Sequence, residues 1–186
     1  EKRLYSIASV PSQKKRLTFC IDTSPMGLGS SLVLALKRKD RLVLEGPYGG
    51  FTVPENIEKN LLFVATGIGI APFRSMIIDL LERREIKTKI TLLFGVRSEE
   101  NIFYFDLFAD LAKKYRNFIF VPALSQPKGE WNGYHGRLTK YLDENHIESS
   151  VTAGYICGGV DLIKDPRAVL SAKGFGPRDV KVEIFV

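Results

Sequence analysis

The sequence predicts two domains in tandem. Residues 1–56 read as a partial antiparallel β-barrel, and residues 57–186 as a doubly wound α/β domain on a parallel sheet of about five strands. Three observations carry that expectation. Along residues 16–22, Leu17, Phe19 and Ile21 alternate with Arg16, Thr18 and Asp22, as in a half-buried antiparallel strand. From Asn60 onward the pattern changes to unbroken apolar runs, each followed by a stretch of helical spacing. The boundary is therefore set near residues 53–59. Finally, the 186 residues are 45% hydrophobic, enough to bury a real core in one large or two small domains.

In chain order, residues 3–9 form the first strand and residues 16–22 the second. Ser24-Pro25-Met26-Gly27 makes a turn, and Leu32, Val33, Leu34 and Leu36 then belong to a short helix with Ser30 and Ser31 as capping candidates. Residues 41–45 are another strand, closed by Gly46-Pro47-Tyr48-Gly49-Gly50, which is not regular structure. With few strands, each short, the barrel is incomplete.

The second part is organised around Leu61-Leu62-Phe63-Val64-Ala65-Thr66-Gly67-Ile68-Gly69. A strand apolar on both faces runs into a glycine turn, and Pro72 is expected at the first helical position, where its missing donor costs nothing. Phe73, Ile77, Leu80 and Leu81 share one helical face, and Asp79, Glu82, Arg83 and Arg84 fall largely on the other. The glycines admit close approach of a ligand, and the unpaired amides of the helix start favour an anion such as a nucleotide diphosphate. The motif departs from the Gly-x-Gly-x-x-Gly fingerprint, because Pro72 holds the third glycine's place. Strands follow at residues 90–94, 118–123, 155–157 and 180–185, with helices over 103–115 and 138–142. A last helix is expected to start at Pro166, capped by Asp165, and to end at Lys173. The carboxyl ends of the strands gather Thr66, Gly67, Gly95, Ser125, Cys157 and Gly158, where such sheets bind ligands.

Composition narrows the function. Cys20 and Cys157 stand far apart with no histidine cluster, so no zinc or iron-sulfur site is expected, and a reducing cytoplasm is the default compartment. No apolar run reaches membrane-spanning length. The net charge of +6 includes runs at Lys14-Lys15-Arg16 and Lys37-Arg38-Lys39 with Arg41, without the interleaved aromatics of a nucleic-acid surface. They read as solvated turns and a helix end, or as charge that steers an acidic protein partner. His135 and His146 receive no role.

Taken in order, the motifs resemble the ferredoxin-NADP reductase superfamily, flavoproteins with an FAD-binding β-barrel followed by a nicotinamide-binding α/β domain. Arg3-Leu4-Tyr5-Ser6 is similar to that family's Arg-x-Tyr-Ser strand. The resemblance implies that Arg3 pairs with the flavin diphosphate, Tyr5 stacks on the isoalloxazine and the Ser6 hydroxyl hydrogen-bonds the flavin near N5. Gly27-Leu28-Gly29-Ser30, with Ser31, resembles the second flavin motif, whose helix start holds the diphosphate; Gly46-Pro47-Tyr48-Gly49 resembles the segment that ends the barrel. Thr66-Gly67-Ile68-Gly69-Ile70-Ala71-Pro72 is similar to the nicotinamide-nucleotide diphosphate loop, and Cys157-Gly158-Gly159 to the motif that sets a thiol beside the nicotinamide. Glu183-Ile184-Phe185 resembles the terminal segment whose aromatic covers the other flavin face.

The chain departs from that pattern in two places. Only Glu1 and Lys2 precede the first flavin motif, where the family has further strands, so a fragment or a missing amino-terminal segment is expected. After Cys157-Gly158 the chain has Gly159, Val160, Asp161 and Leu162 in place of the usual prolines and methionine. For the nucleotide, Ser125 is followed by Gln126 and Pro127 rather than basic residues, which favours NADH. Arg97, Lys128 and Arg137 are the side chains placed to accept the 2′-phosphate of NADPH instead.

The resemblance thus implies an NAD(P)H-dependent flavoprotein reductase that passes electrons through FAD to a separate protein acceptor, such as a ferredoxin, flavodoxin, cytochrome, or oxygenase or hydrogenase component. Tyr5, Ser6 and Cys157 are expected to set the contact between nicotinamide and flavin. The rival is a non-catalytic nucleotide-binding or structural subunit of a redox complex, with a truncated flavin site.

Overall fold

A computed structural model describes residues 2–24 and 26–185; Glu1, Val186 and the expected turn residue Pro25 lie outside the described residues. Five α-helices occur among them: α1 (Leu28–Ala35), α2 (Ile70–Ile78), α3 (Phe105–Lys114), α4 (Leu138–Glu144) and α5 (Val160–Ala172). The strands are β1 (Asn60–Thr66), β2 (Ile90–Val96), β3 (Phe118–Leu124), β4 (Tyr134–His135), β5 (Thr152–Gly159) and β6 (Val180–Phe185). They make one six-stranded sheet in the order β4-β3-β2-β1-β5-β6, parallel throughout.

The unbroken apolar runs follow from that topology. Successive residues of β1 face opposite ways: Leu61, Phe63 and Ala65 join Phe73 and Ile77 of α2 and Phe108 of α3 in one core. Leu62 and Val64 join Leu138 and Leu142 of α4 and Ile163 and Leu170 of α5 in the other. Each fully buried side chain of this size contributes about 1.5–3 kcal/mol, so neither face of the strand tolerates polar residues.

Four expectations within this part need correction. The sheet has a sixth strand, because β4 pairs with the end of β3 over Ala123↔Tyr134 and Leu124↔His135 inside the expected loop; so short an edge strand leaves no periodicity to read. Pro72 is the third residue of α2, which starts at Ile70, and its missing donor is harmless there because the whole first turn lacks intrahelical acceptors. Asp79 opens a π-helical turn (Asp79–Arg83) and is buried, its carboxylate held by both Nε and Nη2 of Arg83, which compensates the buried charge. α5 begins at Val160 and carries Pro166 inside. An internal proline costs about 3 kcal/mol, but Ile163, Pro166 and Leu170 are all buried on the face toward the sheet, which offsets the lost hydrogen bond.

Residues 2–56 differ more from expectation. The strands expected at 3–9, 16–22 and 41–45 are not formed; among the described residues this part has α1 and one antiparallel bridge, Ile7↔Phe19. Ala8 N–H donates to Thr18 O at 2.8 Å, but Ser9 Oγ accepts from Thr18 N–H at 3.1 Å, so a side chain takes the donor that a longer ladder needs. Residues 41–45 find no strand partner among the described residues, and a strand without a partner is not a ladder. Ser30 and Ser31 lie inside α1 rather than at its cap, which is Gly27 with no side-chain capping bond. Among the described residues, no helix is long and apolar enough to cross a membrane.

Candidate functional site at the β1/β5 crevice

The sheet order places the site. The chain moves outward from β1 through β2 and β3 to β4, then returns to β5 on the other side of β1, so the winding reverses between β1 and β5. A crevice opens at the carboxyl ends of two strands whose connections leave in opposite directions. Thr66, Gly67 and Gly69 line one side and Cys157 and Gly158 the other, with Ala65 and Cys157 in register.

Two glycines are required here for space. A Cβ on Gly69 would overlap the Cys157 carbonyl oxygen, and one on Gly158 would overlap Thr66 Oγ1, so the loop and the end of β5 touch backbone to backbone. Gly67 has φ +52°, in the left-handed region, and the space where its Cβ would stand is empty. Thr66 Oγ1 is buried without a hydrogen-bond partner. An orphaned buried hydroxyl, an open glycine and the helix start behind them fit an anionic ligand such as a nucleotide diphosphate.

Beside this cradle stands a polar chain built from three distant segments. Ser6 Oγ donates to Glu183 Oε1 at 2.5 Å, and Cys157 Sγ lies 4.0 Å from the same oxygen. The sheet dictates half of that arrangement, because Cys157 and Glu183 are register partners of β5 and β6. Burial pushes the Cys157 thiol well above its ordinary pKa, and the Glu183 charge adds to the rise. The sulfur is therefore a neutral thiol, a small apolar surface and not a nucleophile. Phe185 lies two residues beyond Glu183, opposite Gly159 and packed against the core.

Tyr5 and Arg3 form a further group with the start of α1: a Cβ at Gly29 would lie 2.7 Å from the Tyr5 hydroxyl and 3.6 Å from Arg3 Cγ. Tyr5 is 37% exposed and packs edge-on against Phe19 at 6.4 Å. A phenol ring with an open face, a guanidinium and a glycine at a helix start fit a flat aromatic ring joined to a diphosphate. Arg97 and Ser125 sit apart from these groups, exposed at the ends of β2 and β3, where Arg97 Nε donates to Gln126 Oε1 at 2.7 Å. Lys128 is engaged as well, its Nζ 2.7 Å from Glu100 Oε1.

The structure thus joins Ser6 with Cys157, and Thr66, Gly67 and Gly69 with Gly158; it sets Arg3, Tyr5, Gly29, Ser30 and Ser31 around α1, and leaves Arg97 and Ser125 farther along the sheet. Sequence reasoning passed over Glu183 as a polar group. Its one signal was a carboxylate inside the strand Val180-Lys181-Val182-Glu183-Ile184-Phe185, where an acid needs a partner.

Comparison with known proteins places the same features in context. The family model for the oxidoreductase NAD-binding domain matches residues 63–168. The F subunit of the Na(+)-translocating NADH-quinone reductase of Neisseria gonorrhoeae is 34% identical over 171 residues, covering 84% of this chain and 42% of its own length. Its counterpart of the same name in Shewanella putrefaciens is 34% identical over 156 residues, 79% of this chain and 52% of its own. The chain therefore spans about half the length of the curated relatives it matches. Among solved structures, the cytochrome P450 reductase GcoB of Amycolatopsis superposes with a TM-score of 0.88 at 25% identity, over 97% of this chain and 55% of that one. A ferredoxin NADP+ reductase from Neisseria gonorrhoeae with bound FAD and NADP gives 0.81 at 26% identity, over 98% and 79%.

Proposed function

This chain belongs to the ferredoxin-NADP reductase superfamily through its oxidoreductase NAD-binding domain, and from that premise we propose that it is the reductase part of an electron-transfer flavoprotein. Residues 57–186 hold NAD(P)H, and residues 1–56 supply part of the barrel that holds FAD. Bound FAD would take a hydride, two electrons and a proton, from the nicotinamide, leaving NAD(P)+, and release electrons singly to a separate protein acceptor.

The observation that carries this reading is the contact of Ser6 with Glu183 beside Cys157, because it brings the expected flavin strand to the end of the dinucleotide crevice. In this reading Thr66, Gly67, Gly69 and Gly158 seat the nucleotide diphosphate, with Pro72 shaping the start of α2. Arg3, Gly29, Ser30 and Ser31 would hold the flavin diphosphate, and Tyr5 and Phe185 would supply aromatic surfaces for its ring. Ser6, Tyr5 and Cys157 would border the place where the two rings meet and would orient one against the other. Glu183 accepts the Ser6 proton bond and fixes that hydroxyl.

NADH is the favoured donor. Arg97 donates from Nε to the neutral Gln126, Lys128 is paired with Glu100, and the carboxylates of Glu99 and Glu100 disfavour a 2′-phosphate beside them. The curated relatives are themselves named NADH-quinone reductases. The acceptor is a redox protein, whether ferredoxin, flavodoxin, cytochrome or an oxygenase or hydrogenase component, met in a reducing cytoplasm where free Cys20 and Cys157 persist.

The test is spectroscopic: the protein supplied with FAD should show a flavin absorption band that bleaches on adding NADH, faster than with NADPH. Protein that retains no FAD and shows no bleaching supports instead a nucleotide-binding or structural subunit of a redox complex. Faster bleaching by NADPH overturns the nucleotide preference alone.

A further inference from the structure

We propose that Arg74 is a positioning residue: it ties the extended segment that carries Tyr5 and Ser6 to the helix that starts at the dinucleotide loop, and so sets the approach of one cofactor to the other. The role rests on the electron-transfer reading above. Arg74 lies five residues beyond Gly69, inside α2, and its Nη1 donates to Ala8 O at 2.6 Å. Its neighbour Ser75 donates from Oγ to Ser9 O at 2.8 Å. Ala8 and Ser9 are the only buried residues among those described in 2–56, so α2 grips the amino-terminal part where water is excluded. Ala8 N–H passes the grip on by donating to Thr18 O.

The guanidinium has a second attachment, since its carbon stands 5.2 Å from the ring centroid of Tyr104, which caps α3 in a left-handed conformation with φ 59°. One planar cation therefore joins three segments, donating to the Ala8 carbonyl while its carbon lies over the Tyr104 ring, which a shorter-reaching ammonium does not reproduce. Arg74 Nε is buried without a hydrogen-bond partner, so the arginine is held there at a cost in solvation. Ser6 is two residues from Ala8, so the Arg74 bond to Ala8 O, with the Ser75 bond to Ser9 O beside it, fixes the segment that reaches the Ser6–Glu183 contact. Losing it loosens that segment, and a displacement of about 1 Å near reacting atoms lowers a rate on the order of 100-fold.

The experiment uses the full chain as Arg74→Ala and Arg74→Lys. Arg74→Ala is expected to speed amide exchange in residues 6–10 about tenfold or more, while residues 61–66 and 90–96 keep their protection. With FAD supplied, its bleaching rate with NADH should fall about 100-fold, with ADP-ribose affinity within about twofold of wild type. Arg74→Lys, which keeps a donor without the planar guanidinium, should fall about tenfold and carries the test if Arg74→Ala does not fold. Unchanged exchange in residues 6–10 overturns the proposal; so does faster exchange with an unchanged bleaching rate, the mark of a purely structural tie. Failure of the electron-transfer reading is seen elsewhere, in wild-type protein that does not bleach.

Discussion

Residues 60–185 bury Phe63, Phe73, Phe94 and Phe108 completely, whereas residues 2–56 leave Leu28, Val43 and Tyr48 at 72%, 92% and 73% exposure. Both regions are rich in apolar residues; they differ in whether those residues have partners. A parallel sheet with helices on both faces supplies two buried surfaces from one contiguous stretch of chain. Short antiparallel strands bury a face only against more sheet, and the described residues of 2–56 contain little of it. That region is instead held by side-chain donors reaching its backbone carbonyls: Arg74 to Ala8, Ser75 to Ser9, Arg84 to Pro54 and Glu55, and Lys181 to Thr52. Phe51, wedged between Phe73 and Tyr155 at 5.8 and 5.9 Å, is its main apolar anchor. An apolar surface exposed on this scale suits association with further barrel structure.

The comparison can be broken most directly by truncating one side chain in each region. Phe63→Ala should cost about 3–5 kcal/mol in denaturant unfolding, while Val43→Ser should change stability by no more than about 0.5 kcal/mol; equal costs would mean that the amino-terminal region has a core of its own. The seam between the regions comes next. Ser6→Ala should slow flavin reduction roughly 10- to 100-fold, the loss of one charge-assisted bond, with dinucleotide affinity near normal. Unchanged reduction would remove Ser6 from the site. Gly69→Ala should lose about 1–3 kcal/mol of stability, together with measurable NAD+ affinity, because the added methyl group drives into the Cys157 carbonyl.

The smallest effect is expected at the amino-terminal edge of the sheet, where Lys59 Nζ meets Asp179 Oδ1 at 2.9 Å. The Lys59 bond, then the Gly176 amide, hold the Asp179 carboxyl below its ordinary value. A depressed carboxyl stabilises the fold above the unfolded aspartate value of about 3.9, and that contribution is lost as pH falls through the lower folded value. Asp179→Asn should therefore lower the melting temperature slightly at pH 7 and not at pH 2, with no change in nucleotide binding. A difference that persists at pH 2 would assign the effect to packing.

Much of the α/β part was legible because its causes are local. A strand covered on both faces is apolar at every position, a helix repeats every three to four residues, and a loop that must take φ +52° at one position carries glycine there, so β1, β2, β3, β5, β6 and the Thr66–Gly69 turn followed from neighbouring residues alone. What lay outside the sequence depends on partners far along the chain. Ser6 and Glu183 are 177 positions apart, and only the pairing of β5 with β6 sets the Glu183 carboxylate beside Cys157. Packing against the sheet overrode the local preference to break α5 at Pro166, and β4 exists because the edge of β3 was there to receive it. Alternation along residues 16–22 stated a readiness to pair, but a strand needs a neighbour, and the tertiary structure decided that only Ile7 and Phe19 would bridge.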